Sequence, residues 1–114
     1  MDAPALEDLF APWARVTVKR MFGGLGVWRD GLMFALVAGG TLYLKTDDES
    51  RAAFEAAGGK PFVYRGKVKP VSVAYWTPPA AIFDDEDSLR EWAGRAFAAA
   101  LSADAVRRPR ARRG

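Results

Sequence analysis

Between residues 16 and 45 the chain breaks into short apolar runs separated by glycine-centred turns, and this punctuation limits the fold more than any other feature. Asp30-Gly31 lies between Gly26-Val27-Trp28 and the unbroken run Leu32 to Ala38, and Gly39-Gly40 separates that run from Thr41-Leu42-Tyr43-Leu44-Lys45. Both dipeptides accept the positive φ angles of a two-residue hairpin turn, so successive runs are expected to pair antiparallel. Upstream, Val16-Thr17-Val18-Lys19-Arg20-Met21-Phe22 is β-branched and alternating at its start, and stops at Gly23-Gly24. Four strands in a meander are predicted.

Helical spacing flanks the meander. Within residues 5–14, Leu6, Leu9, Phe10 and Trp13 fall at i, i+3, i+4 and i+7, the signature of one apolar helical face. Thr46-Asp47-Asp48-Glu49 has the form of a capping box for a helix running to Ala57 and closed by Gly58-Gly59. Phe62 to Arg65 and Val68 to Trp76 read as a second hairpin about Gly66, stopped by Pro78-Pro79, which cannot donate to a ladder. Leu89, Trp92, Ala93, Ala96, Phe97, Ala100 and Leu101 then define a final amphipathic helix, with Ser88-Leu89-Arg90-Glu91 as a second candidate capping box. The expected fold class is α+β: a two-layer domain with an antiparallel sheet, in the order α-β-β-β-β-α-β-β-α, over residues 1–103. Residues 104–114 are expected to be a disordered Arg-rich tail.

A length of 114 residues, half of them apolar and 27% charged, fits one globular domain. The chain has neither His nor Cys. That excludes Ser-His and Cys-His nucleophiles, thiolate or imidazole metal sites and disulfides. No catalytic residue, metal site or cofactor is expected, and the chain is read as not an enzyme. The formal charge of +3 belongs to the tail, where Arg107, Arg108, Arg110, Arg112 and Arg113 stand without an acid; the rest is slightly acidic. No basic residue precedes an apolar stretch in Met1-Asp2-Ala3-Pro4, and the longest apolar run has seven residues. No secretory signal, no membrane partner and a cytoplasmic location are therefore expected.

Four groups of residues invite a functional reading. Arg20 beside Gly23, Gly24 and Gly26 resembles a backbone nest for a small anion, with Lys45 as a second cation, but a P-loop's Lys-Ser/Thr pair and following helix are missing. Glycines that permit a tight or bulged connection between strands are the simpler account. A protein-binding surface over the same turn and the strand edges is the other candidate role, with Gly24→Arg as its natural probe. Asp84-Asp85-Glu86-Asp87 lacks the pattern of a Ca²⁺ loop and is read as helix capping. Tyr43, Tyr64, Tyr75 and Trp76, near Lys45, Arg65, Lys67 and Lys69, are assigned to core packing, with base stacking as the alternative. The five tail arginines are candidate nucleic-acid contacts.

The order Arg20-Met21-Phe22-Gly23-Gly24-x-Gly26, Leu42-x-Leu44-Lys45-x-Asp47, Phe54 with Gly58, Pro61-Phe62-x-Tyr64, Tyr75, Pro78 and Leu89-x-x-Trp92 resembles the N-terminal domain of the TfoX/Sxy family over roughly residues 6–101. The resemblance implies a small bacterial α+β domain from regulators of natural competence, which act as co-activators beside the cyclic-AMP receptor protein. It carries over no catalytic residue. In those relatives a helical C-terminal domain follows; here the expectation is a stand-alone N-terminal domain with the Arg-rich tail in that place. The resulting expectation is a non-enzymatic regulatory module that binds a protein partner, transcription machinery or a cyclic-AMP receptor-type regulator. A homodimer, nucleic-acid binding through the tail and small-anion binding at the Gly23 to Gly26 turn stand as alternatives.

Overall fold

The computed structural model describes residues 1–21, 23–63 and 74–107, with residues 106 and 107 described by backbone alone. Helix α1, Ala3–Phe10, starts where the Asp2 carboxylate accepts the Ala5 amide at 3.0 Å and Pro4 occupies the first turn. It ends earlier than the apolar spacing suggests. Trp13 follows in a turn, its amide donating to the Phe10 carbonyl at 2.9 Å, yet its ring still packs with the helix face.

The meander forms as expected: β1 Thr17–Met21, β2 Gly24–Arg29, β3 Leu32–Ala38 and β4 Thr41–Lys45 pair antiparallel in sequence order. Asp30 and Gly31 sit at φ 50° and 80°, and Gly39 and Gly40 at 58° and 79°. Positive φ at both central residues is the type I′ signature, whose twist matches that of the strands it joins. A fifth strand, β5 Tyr75–Trp76, pairs with β4, and Trp76 also bridges Pro61. The proposed turn about Gly66, with Tyr64, Arg65, Lys67 and Lys69, lies outside the described residues. Among the described residues the order is α-β-β-β-β-α-β-α, an α+β fold.

Both capping boxes are shifted relative to the sequence reading. The Thr46 amide donates to the Ala74 carbonyl at 2.6 Å, which keeps this buried residue with the sheet. Asp47 therefore caps α2, Asp48–Ala56: it accepts the Ser50 amide at 2.7 Å, and the Ser50 hydroxyl accepts the Asp47 amide at 3.0 Å. Likewise, α3, Glu86–Arg107, begins ahead of Ser88, after a short 3₁₀ turn at Ala80–Phe83. It runs past the boundary expected at residue 103. Leu89, Ala93, Ala96 and Ala100 are buried, whereas Leu101, expected on the same face, is 49% exposed. At about 100° per residue Leu101 sits roughly 120° around the helix from Leu89, outside the contact stripe.

One irregularity organises the core. Val27 pairs with Ala35 but Trp28 pairs with Met33, so Phe34 is an extra residue on β3. This bulge lets two consecutive residues, Phe34 and Ala35, both be fully buried. The Phe34 ring meets Phe10 at 5.2 Å, Trp13 at 5.2 Å and Phe97 at 6.4 Å, all edge-on. It thereby ties α1, the following turn and α3 to one strand. Phe54, fully buried, attaches α2 through an edge contact with Trp92 at 4.8 Å.

Phe34→Ala should therefore cost about 3–5 kcal/mol in urea unfolding, the range for a buried aromatic. Leu101→Ala should stay within about 0.5 kcal/mol of the parent. Gly94, inside α3, has open space where a Cβ would stand, so Gly94→Ala should stabilise by about 0.5–1 kcal/mol.

Candidate functional site

The glycines that suggested an anion nest each have a packing or conformational reason. Gly23 turns the chain at φ 79°. A Cβ on Gly24 would collide with the Val37 carbonyl oxygen, because β2 and β3 approach closely there. On buried Gly26 it would fall 2.6 Å from two carbons of the Trp28 ring and 2.7 Å from the Met21 sulfur. The indole thus lies over Gly26, two residues back on the same strand face. An arginine at position 24 would disrupt the sheet, so Gly24→Arg is no probe of a surface. The signal for this arrangement is Gly26-x-Trp28 at strand spacing, within a run the sequence assigns to a strand without showing which ring covers the glycine.

Arg20 is exposed beside this turn, and the tips of the β1–β2 and β3–β4 hairpins lie side by side. Arg20, Met21, Gly23, Gly24 and Leu25, with Val37, Gly39, Gly40 and Met1, line a shallow depression at that end of the sheet. Lys45 does not join it. Arg20 shares a row with Leu25, Val37 and Leu42, whereas Lys45 lies three residues further along β4 and reaches the Tyr75 ring, 5.0 Å from its centroid. The two cations therefore do not converge on one ligand.

The other candidates separate in the same way. Asp85 caps α3, accepting the Ser88 hydroxyl at 2.7 Å and the Ser88 amide at 3.1 Å, and these bonds hold its carboxyl below the usual carboxylate range. Asp87 pairs with Arg90 at 2.7 Å. Trp76 belongs to the core cluster, Tyr75 is buried outside it, and Tyr43 is half-buried against Phe62 at 5.1 Å. Of the tail arginines Arg107 ends α3; Arg108, Arg110, Arg112 and Arg113 lie outside the described residues. Sequence reasoning missed Arg29, whose guanidinium stands 4.6 Å from the Trp13 ring and 4.7 Å from the Phe97 ring. Among the described residues no helix is long and apolar enough to cross a membrane.

A five-stranded antiparallel meander with helices packed against its core face makes this a small α+β domain. The model of the TfoX N-terminal domain family matches residues 8–100, and the chain belongs to that family. It is also 36% identical over 62 residues to the DNA transformation protein TfoX1 of Aliivibrio fischeri (strain ATCC 700601 / ES114). That stretch covers 54% of this chain and 30% of the relative's length.

Two outcomes follow. Gly24→Ala and Gly26→Ala should each lower stability by about 1–3 kcal/mol, since backbone or a packed ring must move. Asp85→Ala should lower the urea midpoint at neutral pH. The wild-type advantage arises from a depressed folded-state pKa, so it is complete above the unfolded carboxyl's pKa and vanishes as pH falls through the folded value. Unfolding curves at neutral and strongly acid pH check this.

Proposed function

We propose that this chain is a non-enzymatic regulatory module of the TfoX type, a competence-related co-regulator of transcription that acts by binding another protein. The observation that carries the reading is the family match over residues 8–100, which takes in the sheet and most of the described helices. The relative's name, DNA transformation protein, supports the competence connection. The hairpin-tip end suits a protein contact: it joins an exposed cation, Arg20, to a glycine-lined depression and to β1, the sheet's terminal strand. The short β1 carries Lys19 and Arg20, which discourages indiscriminate edge pairing and favours an acidic partner surface.

The expected partner is a cyclic-AMP receptor-type regulator or the transcription machinery itself. Titration of the purified chain against each, followed by biolayer interferometry, should give saturable binding to one of them. Arg20→Glu should weaken that binding at least about tenfold, as for loss of a charged contact at an interface, without moving the unfolding midpoint. A folded chain that binds neither, or an Arg20→Glu chain that binds as well as the parent, overturns this assignment.

A further inference from the structure

The sheet has a second face, and its residues form an ordered row. Cα partners in an antiparallel sheet project to the same side, so Lys19, Gly26, Leu36 and Tyr43 lie in line across β1, β2, β3 and β4. Among the described residues the core cluster includes none of these four, nor Trp28, whereas the neighbouring row of Val27, Ala35, Leu44 and Trp76 belongs to it entirely. The Trp28 ring occupies the floor that Gly26 leaves open. From one edge inward the row therefore presents an exposed ammonium, an indole with that ammonium 5.6 Å from its centroid, Leu36 and then a phenol. Trp28, Leu36 and Tyr43 are all half-buried, with part of each open to solvent.

Charge tells what such a face attracts. On this face the cations are Lys19, exposed on β1, and Lys45, beside Tyr75; Arg20 and Arg29 alternate to the core side, and the one acid of residues 15–46, Asp30, sits in a turn. Among the described residues the strands of this face carry no acid to meet Lys19 of a second copy, so self-association face to face is disfavoured. An anion with flat apolar groups is favoured. A duplex keeps its bases stacked inside, whereas a single strand offers them for stacking on aromatic rings beside its phosphates. The chain contains no Asn or Gln, the side chains that read adenine edges, so recognition by this face would be indifferent to sequence. Among the described residues this face carries no side-chain carboxylate or amide to take a 2′-hydroxyl, and Leu36 suits a deoxyribose.

We propose that this face binds single-stranded DNA without sequence preference, stacking bases on Trp28 and Tyr43 with Lys19 against the phosphates. The inference goes beyond the regulatory reading; the two share only Lys19, and because Arg20→Glu tests one while Tyr43→Leu tests the other, their failures are distinguishable.

The test uses the full-length chain with Arg107, Arg108, Arg110, Arg112 and Arg113 replaced by Gln, which removes generic attraction from the tail. Fluorescence anisotropy with a labelled oligothymidylate of about twelve nucleotides should show binding. Trp28→Leu and Tyr43→Leu should each weaken it about tenfold, and Lys19→Glu should weaken it and flatten its salt dependence. Tyr43 and Lys19 are the safeguards should Trp28→Leu unfold the sheet. Absence of binding overturns the proposal, as does unchanged affinity in folded Tyr43→Leu and Lys19→Glu chains. Equal affinity for a duplex or for oligouridylate overturns the assignment to single-stranded DNA. Equal binding of polyglutamate assigns the face to an acidic protein instead.

Discussion

The extra residue in β3 is the constraint on which the rest depends. Without the bulge at Phe34, strict alternation would send Phe34 and Ala35 to opposite faces, and a phenylalanine would leave the core. With it, one ring gathers Phe10, Trp13 and Phe97 into a single edge-on cluster, and the helices share an anchor on the sheet. Arg29 closes that cluster from the rim, its guanidinium held between two of the same aromatic rings and 3.8 Å from Asp30.

The same register separates the sheet's two faces into different chemistries. On one side Val27, Ala35, Leu44 and Trp76 exclude water beneath α1 and α3. On the other, Gly26 exists where a larger residue would displace the Trp28 ring, so the glycine of a turn motif is also the seat of an aromatic side chain. The acids are concentrated on the helices and their caps, where Asp2, Asp47 and Asp85 satisfy first-turn amides. The slightly acidic body therefore hides a cationic sheet.

The chain belongs to the TfoX N-terminal domain family, and its geometry sets two parts of the sheet apart from the core. The hairpin tips and the open row are physically distinct, one built from backbone and Arg20, the other from ring faces and Lys19.

Turn chemistry and helical periodicity determined the meander and the three helices, and the order of short motifs from Arg20 to Trp92 carried the resemblance to the family. Asp30-Gly31 and Gly39-Gly40 dictate local backbone angles whatever surrounds them, and Leu89 to Ala100 repeat on a period that only a helix satisfies. The caps were legible to within a residue or two: Thr46 looks as good a cap as Asp47 until its amide is seen to be committed to Ala74. The tertiary structure decided the rest. An all-apolar run such as Leu32 to Ala38 carries no alternation to reveal its register, so neither the bulge nor the row from Lys19 to Tyr43 could be read in advance. Arg20 and Lys45 looked like partners because both are cations near glycines, and strand order placed them apart. Local sequence sets angles; which side chains share a face depends on pairing across strands, and that is settled only when the core packs.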